Sequence, residues 1–434
     1  MPTDRTLPHV ALTRDAAEKI SSSPMTSGDL VFRFAPSERL YIAETVETKP
    51  DLRMQVTIPR EFTALRWGDS DHHGQWIRDP SPDINLHHLI LLQRPGVRLP
   101  FDAFRKLVRG VEHPGRNHGL LITHEPGLTE DERLIGASEF AGWLVHRSGV
   151  LPIRLDIEPE VVGIQQLAGR WPVELLAGHS VMLVGCGSIG GAAAEALAGS
   201  GLGRVELVDP DRFLWHNTIR HVLGPESVGR RKVDALKSHL ERRWPDQNAN
   251  AHPLDIVEDA HLLRPLFDRV DLVLCAADGI APRRVVSHLA RRAAKPAVLA
   301  CVLDSGALGE VIRLRPTPRF GCLLCLRQDL VDQGAMDAEA DQELGYGAGL
   351  SHLPMTAVPP DLRYIGTLAA KVAVATLLES LHGDRTQRLP GEHAVVGLNP
   401  VHEHGPPFNL EHAGEIRWRS LPPPRPACPT CGPA

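Results

Sequence analysis

Apolar residues fall in short blocks through the second half of the chain, at residues 181–184, 205–208, 271–277 and 297–302, broken only by Glu206 and opened in one case by Asp271. Blocks of this length, bounded by Gly, Pro and Asp, predict strands buried on both faces, as in a parallel sheet. Between them lie segments of helical character: a small-residue stretch at 192–198, a helix opening at Lys232, another beginning near Pro282, and a long one at 362–381. Alternating strand and helix predicts an α/β fold with a Rossmann-like, doubly wound sheet. In the first half the pattern is more irregular. It suggests strands at 30–34, 40–45, 54–58, 89–92 and 119–123 and helices at 14–21 and 101–108, a separate α/β or α+β unit. The expected domains are therefore residues 1–160 and 161–434.

Chemistry enters after the first apolar block, where Gly185, Gly187 and Gly190 form G-x-G-x-x-G ahead of the small-residue helix. Such a loop lets backbone N–H groups approach phosphates at a helix N-terminus. Alone it fits a dinucleotide-binding oxidoreductase, or a Gly-rich turn of another α/β protein, equally well. The next segment separates the readings. Asp209 and Asp211 stand at the tip of the second strand, where an acid can hold a ribose hydroxyl. Asn217, Arg220 and Lys232 follow, groups able to clamp a triphosphate. Asp278 ends the third strand at the edge where one carboxylate and phosphate oxygens suffice to hold Mg²⁺.

This ordered set resembles the adenylyltransferase family of ubiquitin-activating enzymes and of the molybdopterin- and thiamine-biosynthesis activators, over about residues 170–434. The resemblance implies that Asp209 binds ribose, that Asn217, Arg220 and Lys232 bind phosphates, and that Asp278 carries magnesium. It implies ATP as the nucleotide and a protein's C-terminal carboxylate as the group activated. Phrasing around residues 220–232, R-H-V-L-G-x-x-x-V-G-R-x-K, is similar to bacterial activators. The expectation is adenylation of the C-terminal glycine of a ubiquitin-like protein in a bacterial, antiphage conjugation pathway, with a conjugating-enzyme-like partner. The alternative is activation of a sulfur-carrier protein or a ribosomal peptide. A homodimer is also implied, and the arginine that reaches the phosphates across it has Arg170 as its nearest candidate here.

Four of the seven cysteines form two C-x-x-C pairs, Cys322/Cys325 and Cys428/Cys431, each in a chain reversal. Two such pairs predict one tetrahedral zinc tying the C-terminal tail to the core. Cys186, Cys275 and Cys301 look like packed small residues. Residues 326–427 hold no cysteine, whereas ubiquitin-activating enzymes proper place a thioester-forming cysteine there. Ser351, and with it Thr356, are the hydroxyls best placed to substitute as acceptor. The crossover segment at about 326–361, acidic then Gly-rich over 337–349, reads as a loop over the substrate's tail.

Composition narrows the partners. The 434 residues are 42% hydrophobic with a net charge of −6, enough for a large core and without a basic run for nucleic acid. No window of about eighteen apolar residues suggests a membrane span, and the N-terminus lacks the apolar core of a signal peptide. Zinc thiolates in a reducing cytoplasm are the expectation. In the first half, D-H-H-G-Q-W-I-R-D-P-S-P-D is similar to the metal motif of JAB-type deubiquitinating proteases. It fails that pattern, because Asp71 stands where a first histidine belongs and the interval from Ser81 to Asp83 is one residue short. The segment is expected to be a surface loop rich in turn formers. The N-terminal unit is expected to recognise the substrate or an acceptor partner, or to stand in for the inactive adenylation half of larger activators.

Overall fold

From residue 180 onward, strand and helix alternate through five parallel strands in the computed structural model, which describes residues 7–60, 62–78, 83–94, 96–114, 118–335, 357–399 and 404–432. The chain divides into two compact units, Met1–Val162 and Gly163–Ala434.

The first unit contains β1 (His9–Leu12), α1 (Arg14–Ser22), β2 (Ser27–Ala35), β3 (Leu40–Lys49), β4 (Leu52–Gln55), β5 (Asp69–Arg78), α2 (Ile84–Leu92), α3 (Phe101–Leu107), β6 (His118–His124), α4 (Glu130–Leu134), β7 (Phe140–His146) and β8 (Gly149–Ile157). The strands order as β1-β8-β7-β6-β5-β2-β3-β4, and β1 also pairs with β3, so the sheet curls into a ring. Antiparallel pairs dominate, with β1 parallel to both of its neighbours and β5 parallel to β6. Thr13 starts α1 by accepting the Ala16 N–H on its hydroxyl. Ala16 and Ile20 then pack on Phe32, Trp76 and Ile122 inside the ring.

Two expectations fail here. Residues 89–92 are the end of helix α2, not a strand. The apolar run there is deceptive: Ile90 is 41% exposed, while the buried face is Ile84, Asn85 and His88, spaced at the helical period. Buried Asn85 donates to the carbonyls of Ser138 and Glu139, just before β7, and His88 bonds those of Gly142 in β7 and Ile153 in β8, which satisfies the polar groups that made the face look external. Residues 69–78 are likewise not a surface loop. They form β5, between β2 and β6, with Trp76 fully buried. At Gly74 a Cβ would stand 2.6 Å from the Leu120 carbonyl oxygen and 2.7 Å from the Phe32 ring, so the residue that looked like a turn former is a packing requirement of a central strand. Ser81 lies outside the described residues. The strand expected at 54–58 ends at Gln55.

The second unit opens with α5 (Val173–Ala177) and continues through β9 (Ser180–Val184), α6 (Ser188–Gly199), β10 (Arg204–Val208), α7 (Lys232–Arg243), β11 (Asn248–His252), α8 (Ala260–Arg269), β12 (Leu272–Cys275), α9 (Ile280–Arg292), β13 (Ala297–Leu303), β14 (Leu308–Leu314), α10 (Leu323–Asp332), α11 (Pro359–His382), β15 (His393–Gly397) and β16 (Ile416–Arg419). The sheet order is β11-β10-β9-β12-β13-β14-β15-β16. Strands β11 to β13 in that order run parallel, and β14 to β16 extend the sheet antiparallel. The order reverses direction between β9 and β12, which opens a crevice at their carboxyl ends.

Helix α11 has the length and apolarity of a membrane span, contrary to the expectation of no such window. It lies instead in the core, with Ile365, Val372, Leu377 and Leu378 fully buried, each contributing about 1.5–3 kcal/mol of burial. Gly366 permits this packing: a Cβ there would sit 2.3 Å from the Ile189 carbonyl oxygen of α6. The long helix thereby braces the element that follows the glycine loop.

Candidate active site

The glycine loop joins β9 to α6. Gly185 has φ +87°, and a Cβ on it would meet the Ala277 nitrogen at 2.4 Å; one on Gly190 would meet the Gly185 carbonyl at 1.8 Å. Both are therefore fixed as glycine by the close approach of β9, α6 and the segment after β12. Gly187 differs. It caps α6 at φ −80°, and a Cβ there would meet nothing within 4 Å, so its open side faces space above the helix N-terminus, the position of an anion site.

Asp209 directly follows β10 and is buried beneath this loop. One carboxylate oxygen accepts the Cys186 N–H at 2.7 Å and the other accepts the Asp211 N–H at 2.9 Å. Burial raises its pKa above the usual carboxylate range, against the opposing pull of Lys232. A carboxylate offers about four acceptor positions, so capacity for a ribose hydroxyl is left after these two bonds. Lys232 opens α7, as expected, with Nζ 2.8 Å from Asp211 and 3.9 Å from Asp209. Burial alone would lower its pKa, but Asp209, Asp211 and Asp278 outweigh that and hold it above the ordinary lysine value. Asp278 is exposed just past β12, and among the described residues its carboxylate makes no hydrogen bond. An exposed carboxylate at the carboxyl edge, close enough to act on Lys232, fits the one-carboxylate binding mode of Mg²⁺.

Asn217 is buried and closes a short 3-10 turn, its side-chain oxygen accepting the Leu214 N–H at 2.8 Å. Arg220 follows, half-buried, with no side-chain hydrogen bond or ion pair among the described residues. Trp215 (76% exposed) and Ile219 (67%) flank the pair. Asp209, Asp211, Lys232 and the glycine loop thus converge at one edge of the sheet, with Asp278 near Lys232. Ser351 and Thr356, together with the acidic and Gly-rich stretch 337–349, lie outside the described residues. Arg170 is exposed in the loop before α5.

Two residues went unnoticed in the sequence. His221 is buried under the loop, its Nε2–H donating to the Cys186 carbonyl at 2.7 Å while Nδ1 accepts the Leu223 N–H at 3.1 Å. Burial, helped by Lys232 and Arg220, lowers its pKa to about 4, so the ring is neutral. Its only signal was a polar residue opening the apolar run H-V-L. Arg283, on α9, is the other, and is fully buried. Cys186 and Cys275 are buried as expected, their thiols pushed up by burial and therefore inert, Cys275 to about 11. Cys301 is not a simple packed residue: it is only partly buried, and its sulfur lies 2.8 Å from Arg283 Nη1.

The four paired cysteines gather as one cluster. Their sulfurs all lie within 4.8 Å of one another, with Cys322–Cys428 at 3.5 Å and both Cys322–Cys325 and Cys325–Cys431 at 4.0 Å. Four thiolates about 2.3 Å from a tetrahedral ion stand about 3.8 Å apart, so the cluster can hold a metal ion. The thiols pull in opposite directions: burial raises Cys322 and Cys431, whereas at Cys428 burial is outweighed by the backbone N–H groups of Cys431 and Thr430, which lower it, so what fits the cluster for a metal is the geometry of its four sulfurs.

A model of the ThiF family matches residues 165–412, and the chain belongs to that family. Among curated relatives, the protein y4oA of Sinorhizobium fredii is 30% identical over 177 residues, 37% of this chain and 30% of its own length. The adenylyltransferase and sulfurtransferase uba4 of Emericella nidulans is 35% identical over 143 residues, 32% of this chain and 28% of its own. The chain thus spans about 30% of the length of these relatives. A crystal structure of E. coli MccB with ATP aligns over 60% of this chain and 68% of that one, at 20% identity and a TM-score of 0.44.

Proposed function

We propose that the chain is an ATP-dependent adenylyltransferase that activates the C-terminal glycine carboxylate of a ubiquitin-like protein, in a bacterial conjugation pathway of the antiphage kind. The observation that carries the reading is the convergence at one sheet edge of an open glycine loop, Asp209 and Lys232, with Asp278 acting on the same lysine. Family membership and relatives named adenylyltransferase support it.

The residues divide the work. Loop N–H groups and Lys232 neutralise phosphate charge, Asp209 orients the ribose, and Arg220 is placed to meet charge building on the α-phosphate. The substrate carboxylate oxygen attacks the α-phosphorus, the bond to the β-phosphate oxygen breaks, and pyrophosphate leaves. Bound at Asp278, Mg²⁺ would supply further charge neutralisation. Zinc on Cys322, Cys325, Cys428 and Cys431 would hold the C-terminal tail to the core in a reducing compartment. A homodimer, a conjugating-enzyme-like acceptor and a Ser351 ester belong to the same proposal. A second reading, activation of a sulfur-carrier protein, is favoured by the sulfurtransferase named in the uba4 relative.

ATP–pyrophosphate exchange tests the proposal with small proteins ending in glycine, comparing wild type with Asp278→Ala. Exchange that depends on the glycine-ended partner and disappears in the variant is expected. No exchange with any such partner would refute it, and exchange only with sulfur carriers would select the second reading.

A further inference from the structure

Among the described residues the Asp278 carboxylate makes no hydrogen bond, so its position depends on the backbone turn it shares with Gly279. That turn is loose on its outer side: Gly279 adopts φ +87°, and a Cβ there would meet only Pro282, at 3.8 Å. Its grip comes from inside. Arg283, fully buried, donates from Nε to the Gly279 carbonyl at 2.9 Å and from Nη1 to Cys301 Sγ at 2.8 Å. Cys301 stands directly opposite Glu310 in the β13–β14 register and hydrogen-bonds its carboxylate at 3.7 Å. Glu310, fully buried, receives a two-pronged bond from Arg327, one arm at 2.7 Å, and a bond from His393 Nε2 at 2.8 Å. Arg327 lies on α10, two residues beyond Cys325 of the thiol cluster.

A chain of buried charges is weak evidence for stability, because desolvation consumes most of what the pairing returns. Its value is geometric: every member is held at two or more points. We propose that Arg283 is a positioning residue, fixed through Cys301 and Glu310, that sets where the Asp278 carboxylate stands for the divalent cation. The inference rests on the adenylation reading, in which Asp278 carries that cation. Charge alone argues the opposite outcome, since removing a cation from behind a metal-binding carboxylate tightens metal binding.

The test is a Mn²⁺ titration followed by electron paramagnetic resonance, on the full chain with the α,β-methylene analogue of ATP. Arg283→Met, Arg283→Lys and Glu310→Gln are compared with wild type, alongside melting temperature and analogue affinity without metal. Arg283→Met is expected to weaken Mn²⁺ binding about 10-fold, the order lost when a supporting partner of a metal ligand is removed, with metal-free affinity within about twofold. Arg283→Lys is expected to fall between Arg283→Met and wild type, and Glu310→Gln to weaken Mn²⁺ binding less than Arg283→Met. Unchanged or tighter Mn²⁺ binding in Arg283→Met, or a parallel loss of metal-free affinity, overturns the proposal. If Arg283→Met does not fold, Cys301→Val decides, since it cuts the chain and leaves both charges in place. Weakening of about threefold or more then supports the proposal, and wild-type binding overturns it. Wild type that binds no nucleotide would defeat the adenylation reading instead, a distinct result.

Discussion

Lowering the pH should unlatch the glycine loop through one imidazole. His221 holds the loop by donating to the Cys186 carbonyl and must stay neutral to accept the Leu223 N–H on its other nitrogen. Its pKa falls from the ordinary 6.5 to about 4, chiefly through burial. For a histidine lowered in the folded state, the unfolded chain takes up the proton first as pH falls. Stability from this group is therefore complete above pH 6.5 and is lost progressively down to about pH 4. That interval, at about 1.4 kcal/mol per pH unit, amounts to about 3 kcal/mol. Chemical denaturation between pH 7.5 and 4.5 should show this slope in wild type, over and above that of His221→Gln, in which an amide N–H can still donate but no proton is taken up. The other histidines cancel in the comparison. An NMR titration placing the His221 midpoint near 6.5, or equal slopes in the two proteins, would refute the reasoning.

Other expectations follow from the same geometry. Gly190→Ala has nowhere to put its methyl, 1.8 Å from the Gly185 carbonyl, and should cost about 3 kcal/mol or more in thermal or denaturant unfolding. Gly187→Ala, with open space around its Cβ, should leave the melting temperature nearly unchanged yet weaken ATP binding about 10-fold by calorimetry, because the methyl enters the phosphate space. Asp278→Asn should lower pyrophosphate exchange by about 100-fold or more while barely moving thermal stability, since the side chain is exposed and makes no hydrogen bond among the described residues. Elemental analysis should find one zinc per chain. Its removal by a strong chelator should expose residues 428–432 to proteolysis, because the thiol cluster joins that tail to α10.

Four of the five parallel strands, β9, β10, β12 and β13, were legible because they are buried and carry mostly apolar blocks, whereas edge strand β11, Asn248–His252, has no apolar block to announce it. The convergence of Asp209 and Lys232, with Asp278 acting on that lysine, was legible because Asp209 and Asp278 follow the apolar strands β10 and β12 and Lys232 opens the next helix. The ring-shaped sheet was not. Strand β5 carries Asp69, Asp71, His72, His73 and Gly74, a surface-like composition, and its place between β2 and β6 depends on long-range pairing no local pattern records. Helix α2 hid its buried face behind Asn85 and His88, whose side-chain partners lie more than fifty residues away for all but one of those bonds. Arg283 and Glu310 were invisible for a similar reason: a buried charge reads as surface until its partners are placed beside it, for Glu310 the Arg327 guanidinium and His393, for Arg283 the Gly279 carbonyl and the Cys301 thiol.

The pairing of β1 with both β8 and β3 bears on how the first unit can meet other molecules. A strand hydrogen-bonded on both sides has no donors or acceptors left for an incoming peptide, so the ring cannot be lengthened by adding a foreign strand. Among the described residues the unoccupied outer border belongs to β4, four residues long and exposed throughout. A partner that binds this unit by main-chain pairing is confined to that short border. Any other partner must be read by side chains, through helix faces and loops, and its recognition would be tuned by substitution there without disturbing the ring.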